Sequence, residues 1–133
     1  MTHVYPVIIS HVPDASHYPY LVTIPDFNSN TQGRDVPNAI FMARDAIGLM
    51  GITMEDDHEA IPAPSPPDAV EAEPGDIVTL VDVDFAAYRR QNDMRVVRRN
   101  CTLPAWLDTE AKKAKINVSA VLQSALKQEL HLA

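Results

Sequence analysis

The segment Arg98–Leu103 (RRNCTL) alternates like a β-strand and runs straight into Pro104, and nothing near it in the chain is available to pair with it. Strand side chains point to opposite faces in turn. Arg98, Asn100 and Thr102 therefore share one face, and Arg99, Cys101 and Leu103 share the other. The first face carries only hydrogen-bonding groups. Pro104 has a fixed φ and no N–H, which suits the first turn of a helix. Trp106, Leu107, Ala111 and Ala114 give that helix an apolar stripe. Lys112, Lys113 and Lys115 lie in or just after its last turn, where cations favour the helix dipole. Asn117 can cap a second helix, with Val118, Val121, Leu122, Ala125, Leu126 and Leu130 as its buried side.

A strand-helix-helix unit this short buries too little surface to stand alone, and its strand has two open edges. Pairing that strand with its copy in a second chain removes both difficulties, because the helices of the two chains then share one core. The expected product is a two-stranded ribbon with three polar side chains from each chain on its outer face. Such a ribbon fits the DNA major groove, where Arg donates to guanine and Asn pairs with adenine. The start of the second helix, at Asn117, Val118 and Ser119, would offer N–H groups to a phosphate. Arg99 points to the core side by simple alternation and is expected to snorkel to solvent or to a phosphate.

Charge supports this division. The net charge of −7 is unevenly spread. Residues 1–88 hold two basic residues, Arg34 and Arg44, against fourteen acidic ones, a balance of −12. Residues 89–133 hold nine basic and four acidic residues, a balance of +5. An acidic head and a basic tail imply two different partners, and the tail has the charge signature of a nucleic-acid binder. A single cysteine excludes an internal disulfide. No apolar run approaches the roughly 20 residues of a membrane span. No basic stretch followed by an apolar one opens the chain, so a cytoplasmic protein is expected. No ligand spacing points to a metal, and no cofactor is expected.

The head reads as a small sheet with one main helix. Val4–His11 and Tyr18–Ile24 are strand candidates joined by a turn at Pro13-Asp14-Ala15-Ser16. Asn30–Gly33 is a third short strand or a loop. Asp35 is a good N-cap for a helix reaching about Met50, with Val36, Ile40, Ala43, Ile47 and Met50 on one face and Gly51 placed to end it. Five prolines between Ala60 and Gly75 forbid a helix or central strand there and leave a loop or stiff connector. Asp76–Asp82 is a strong strand, able to return to the first sheet. Phe85–Asn92 is a short helix.

An enzymatic reading has limited material. His3, His11 and His17 lie beside strand ends and His58 beyond the helix, without ligand spacing, and read as surface histidines. Asp26 and Asp35, or Asp82 and Asp84, have the composition of a nuclease's metal-binding acids, but a solvated acidic face is the simpler reading. Cys101 reads as a small buried apolar residue rather than a redox switch. Phe41 lies off the helix's main face and is available to a partner.

These segments resemble a known family. The order of "YPVII" at Tyr5, "YLVTIPDF" ending at Phe27, "NTQG" at Asn30, "MARDAIGL" at Met42, "IPAPS" at Ile61, "VDVDFAAYRR", "VRRNCTLPAWL" and "INVSAVLQSALKQEL" is similar to HicB, the antitoxin of HicA-HicB toxin–antitoxin modules. The tail resembles a ribbon-helix-helix DNA-binding domain. The resemblance implies a head similar to a partial ribonuclease-H sheet without catalysis. It also implies a head that covers a HicA-type toxin, a small mRNA-cleaving protein, and a tail that represses its own promoter. The family's DNA-facing strand positions fall on Arg98, Asn100 and Thr102, and its phosphate-clamping helix start on Asn117, Val118 and Ser119. Two departures stand out. Cys101 occupies a usually β-branched position, and "PDFNSN" lacks the glycine that many relatives carry after the aspartate.

The expected fold class is α+β. Residues 1–88 form a toxin-neutralising α/β domain with a Pro-rich loop at 60–75, residues 89–94 a hinge, and residues 95–133 a ribbon-helix-helix domain. The expected function is a non-enzymatic antitoxin that inhibits a HicA-type toxin and binds operator DNA with inverted half-sites. It would act as a dimer through the tail strand, or as a tetramer if the heads also pair. The toxin-binding residues cannot be picked out from the sequence. The alternatives are a ribbon-helix-helix regulator with a ligand-sensing head, and a weak nuclease in the head.

Overall fold

The computed structural model describes residues 1–14 and 17–132. The Ala15-Ser16 part of the expected first turn lies outside them. The fold is mixed α and β, with one four-stranded antiparallel sheet and, among the described residues, four α-helices. The chain divides into two compact units, Met1–Arg95 and Val96–Ala133.

The first unit contains the sheet. Its strands are β1 (Thr2–His11), β2 (Tyr20–Ile24), β3 (Ser29–Gly33) and β4 (Ile77–Asp84), in the order β3-β2-β1-β4. The third segment, open as strand or loop in the sequence, is therefore a strand. The segment after the prolines does return to the first sheet, antiparallel to β1. Tyr5, Val7 and Ile9 of β1, Val22 and Ile24 of β2, and Val81 and Val83 of β4 face inward and meet helix α1 (Val36–Asp56). Each such aliphatic side chain contributes about 1.5–3 kcal/mol through burial.

Pro6 interrupts the middle of an interior strand, a position proline usually avoids. The ladder explains why it is tolerated. Val12 N–H donates to Pro19 C=O at 2.6 Å, continuing the β1–β2 register. The N–H and C=O groups of even-numbered β1 residues therefore point to β2, and those of odd-numbered residues to β4. The β1–β2 ladder begins only at Ile8↔Thr23, so the N–H that Pro6 lacks would have had no strand to bond.

Asp35 caps α1 by accepting from Asn38 N–H at 2.7 Å. The helix does not stop at Gly51, as its sequence suggests, but continues to Asp56. Gly48 and Gly51 serve close packing instead. Helix α2 (Phe85–Asn92) crosses α1 here, and a Cβ on Gly48 would come within 2.4 Å of the Tyr88 ring, one on Gly51 within 2.1 Å of the Phe85 ring. The absence of a side chain is required by a neighbouring aromatic, not by a left-handed turn.

The expected glycine in "PDFNSN" is replaced by geometry that asparagine tolerates. Asn28 sits at φ 49°, ψ 45°, closing the 3-10 turn Pro25–Phe27, and asparagine is among the few residues that enter this region readily.

The residues expected as a hinge, 89–94, are tied down. Arg89 and Asn92 complete α2, and Asp93 ends it. Arg89 pairs with Glu55 at 3.0 Å, Asp56 at 3.1 Å and Asp93 at 3.5 Å. Arg95 pairs with Asp93 at 2.8 Å and Asp56 at 3.4 Å. Carboxylates in the last turn of α1 oppose its dipole, and these two guanidiniums offset them. The Arg95 hydrogen bonds hold the Asp93 carboxyl well below its ordinary value of 3.8.

Two outcomes follow. Gly51→Ala is expected to cost about 1–3 kcal/mol through overpacking against Phe85, read as a lower midpoint in urea denaturation. Because the folded-state pKa of Asp93 is depressed, its stabilising effect is complete above the carboxylate range and disappears as pH falls through that range toward the folded value. Thermal melts between pH 5 and pH 2 should show a smaller acid-induced drop in Tm for Asp93→Asn than for the parent, a pH window set by ordinary carboxylate titration near 4.

Candidate functional site

In the second unit, residues 96–104 belong to no helix and no strand. Among the described residues, the expected strand Arg98–Leu103 has no ladder partner. Helix α3 (Ala105–Lys113) begins directly after Pro104, and α4 (Val118–Glu129) is capped by Asn117, whose side chain accepts from Ala120 N–H at 3.1 Å. These local elements form where the turn chemistry places them.

The apolar side of α4 is not buried within one chain. Val118, Val121, Leu126 and Leu130 are exposed, as are Trp106 and Leu107 of α3, with Trp106 at 68%. No described residue from Val96 onward is buried. Two residues of the expected buried side, Leu122 and Leu126, instead line a groove of about 650 Å³ between Val96–Asn100 and α4. The physical cause is the lack of a second layer, because two short helices and one extended segment cannot enclose a core.

The structure brings Arg98, Arg99, Asn100 and Ser119 together around this groove. Thr102 is exposed on the same segment but does not line the groove. Val118 and Ser119 are the first two residues of α4, and Asn117 is committed to its cap. The first-turn N–H groups of a helix lack intrahelical acceptors. Among the described residues, Ala120 N–H is satisfied by the cap and Val121 N–H by the Asn117 carbonyl, leaving those of Val118 and Ser119 directed outward. Lys112 pairs with Asp108 at 3.1 Å and Lys113 approaches Glu110 at 4.0 Å. Among the described residues, no ion pair engages Arg98, Arg99, Lys115 or Lys127. Cys101 is exposed in the single chain rather than buried.

In the first unit, the four acids considered for metal binding have structural roles. Asp26 accepts from both Ser65 N–H (2.8 Å) and Ser65 O–H (2.5 Å). Asp35 caps α1, and Asp84 caps α2 through Ala87 N–H at 3.1 Å. Asp82 pairs with Arg44 at 2.8 Å, which lowers its pKa. No group of three or more His, Cys, Asp or Glu among the described residues has metal-binding geometry. The solvated acidic face expected at these positions is thus largely a set of caps and clamps.

His3 is not a surface histidine. It lies half-buried within β1, 5.2 Å from the Phe85 ring centroid and stacked on Tyr5 at 6.2 Å. Its Nδ1 is buried without a hydrogen-bond partner among the described residues. Sequence position at a strand end concealed this, because the aromatic neighbour arrives from α2.

A pocket of about 180 Å³ between α1 and α2 is lined by Phe41, Arg44, Asp45, Tyr88, Gln91 and Asn92. Burial and the hydrogen bond that the Tyr88 hydroxyl donates to Asp45 (2.9 Å) push the phenol pKa up to about 12. This volume is smaller than the several hundred Å³ usual for a small-molecule site. No helix among the described residues is long and apolar enough to cross a membrane.

The chain thus joins an acidic four-stranded α+β unit to a basic two-helix unit with an uncovered groove. The profile of the HicB-like antitoxins of bacterial toxin–antitoxin systems matches residues 5–126. The chain belongs to that family. Two solved structures share its fold. A chain of a toxin–antitoxin complex from Streptococcus pneumoniae is 20% identical, with 97% of this chain and 99% of that one covered and a TM-score of 0.62. The antitoxin HicB of Burkholderia pseudomallei is 24% identical, with 97% of each chain covered and a TM-score of 0.53. A search of curated proteins finds no matching relative.

The geometry yields one expectation here. Asn117→Ala should cost about 0.5–2 kcal/mol of local stability by removing the α4 cap, seen as reduced far-ultraviolet helicity, while Asn117→Asp should retain it.

Proposed function

We propose that this chain neutralises a HicA-type, mRNA-cleaving toxin through Met1–Arg95 and represses its own operon through Val96–Ala133, in the cytoplasm and without catalysis. The supporting observation is the uncovered groove in the second unit. Leu122 and Leu126 of α4, with Val96 and Val97, line an unfilled groove beside an extended segment that lacks a ladder partner among the described residues, and Trp106 and Leu107 of α3 are left exposed. A second copy of the chain supplies what is missing, its strand pairing with Arg98–Leu103 and its helices closing the core. The result is a ribbon-helix-helix dimer, with Arg98, Asn100 and Thr102 of both copies entering the major groove. Arg99 and the free N–H groups of Val118 and Ser119, at the helix start that Asn117 caps, would hold phosphates. A twofold protein reads twofold DNA, so the operator carries inverted half-sites. Pairing of heads would extend the dimer to a tetramer.

The first unit's acidity supports the toxin reading. A protein that grips RNA presents a basic surface, and an acidic partner meets it faster and competes for it. The sheet with one main helix is consistent with a reduced ribonuclease-H-like fold. The ligand-sensing alternative gains no support from the small α1–α2 pocket, nor the nuclease alternative from carboxylates already engaged.

Asn100→Ala should weaken operator binding by about 1–3 kcal/mol through loss of a bidentate base contact, measured by fluorescence anisotropy at fixed salt, with toxin neutralisation retained. Equal loss of both activities would count against two separable modules. Leu126→Asp should convert the sedimenting dimer to monomer. A parent chain that sediments as a monomer would overturn the ribbon.

A further inference from the structure

The two edges of the sheet are built differently. β3 forms one edge with five residues, SNTQG, that are polar or glycine. Short polar edges resist further pairing. β4 forms the other edge with eight residues, IVTLVDVD. Odd-numbered residues of β1 bond to β4, and the register pairs Tyr5 with Val81 and Val7 with Thr79. Odd-numbered β4 residues therefore use their N–H and C=O on β1, and Val78, Leu80 and Asp82 point theirs away from the sheet. Asp82 confirms the phase independently, because its outward carbonyl accepts from Arg44 Nε at 2.9 Å. Arg44 thus closes one end of the edge. Among the described residues, no hydrogen bond engages the outward groups of Val78 or Leu80, although the 3-10 turn Pro67–Ala69 lies near β4.

The side chains of this open segment are equally unprotected. Val78 is 38% exposed and Leu80 48%, and Val4, opposite Asp82 on β1, is 41% exposed. All three lie on the sheet face away from α1. Pro6 and Ile8 on the same face are buried, so the open part of the face is this apolar row beside the β4 edge, and exposed apolar side chains grouped in this way mark an interaction surface. Its surroundings select the partner. The connector that delivers the chain to β4, residues 57–76, holds six carboxylates, Asp57, Glu59, Asp68, Glu71, Glu73 and Asp76, and no lysine or arginine. Asp76 immediately precedes β4, and Asp84 ends it. A second copy paired edge to edge around a twofold would bring these carboxylates against their own copies, and like charges across strands destabilise. A basic partner is complementary.

We propose that the free edge of β4 at Val78–Leu80 is where the toxin docks, adding a strand to the sheet with basic groups reaching the connector's carboxylates. This rests on the toxin reading above and locates its surface. Strand addition supplies main-chain hydrogen bonds, and the Val78 and Leu80 row supplies apolar contact.

The test uses this chain and the product of the short open reading frame adjacent to its gene, with binding followed by calorimetry. If the parent chain does not bind, the toxin reading itself fails. If it binds, Leu80→Lys and Val78→Lys should each weaken binding about thirtyfold or more, as expected of a central contact. Leu49→Lys, on exposed α1, should leave binding unchanged. Circular dichroism and thermal melts check that each variant folds. Because the Lys variants also alter charge, hydrogen exchange on the parent complex provides a second measurement. Val78 and Leu80 amides should be strongly protected by toxin and exchange freely without it. Parent-like affinity in both folded Lys variants, or no added protection at these two amides, would overturn the proposal. So would loss of chain self-association in the variants with toxin affinity intact, which would assign the edge to a second copy.

Discussion

The C-terminal unit has enough apolar side chains for a core and too few elements to enclose one. Trp106, Leu107, Val121 and Leu126 remain exposed because α3 and α4 are two short helices without a second layer. Local chemistry still fixes where those helices start and stop, through Pro104 and the Asn117 cap. Definition of the elements and burial of their surfaces are thus separated. In the proposed dimer, association supplies the missing stability, and the folding of this unit would be linked to the copy that completes it.

The N-terminal unit solves the opposite problem. It closes its core with one helix against one sheet face, and glycine lets α2 approach closely. Its irregular segments are held by specific bonds. Tyr5 O–H donates to Pro62 C=O at 2.7 Å, and Asp26 takes both donors of Ser65. Burial, aided by the nearby Asp26 charge, raises the Tyr5 pKa, so the hydroxyl remains a donor throughout the neutral range. These two contacts anchor the proline-rich connector beside the 3-10 turn that carries Asp26.

Much of this architecture was legible in the sequence where the signal is local. Helix α2, the Asp35 and Asn117 caps and the helix start after Pro104 follow from composition and spacing over a few residues. What was hidden depends on contacts between distant segments. Gly51 looked like a stop because its role is set by Phe85, which lies far along the chain. His3 looked peripheral because the ring beside it also comes from α2. Asp26, Asp82 and Asp84 looked like loose acidity until the structure placed Ser65, Arg44 and the start of α2 against them. The second helix showed its apolar stripe plainly, but periodicity identifies only a face and not the chain that covers it. For the candidate site, the sequence grouped Arg98, Asn100 and Thr102 by alternation. The structure gathers Arg98, Arg99, Asn100 and Ser119 around one groove, a grouping that depends on how α4 folds back.

The two anchors at Pro62 and Ser65 also divide the connector into parts with different freedom to vary. Between Asp57 and Ser65 the path is tied at its end to Tyr5 and Asp26, so an added residue there would dislodge one bond or the other. Between Ser65 and Gly75 the chain spans the remaining distance with one 3-10 turn, Pro67–Ala69, which lies near β4. Lengthening such a loop is inexpensive, about 0.6 kcal/mol for each doubling. Insertions and deletions among relatives should therefore gather after Ser65, and a tag or a small foreign domain could be spliced into that span without disturbing the sheet.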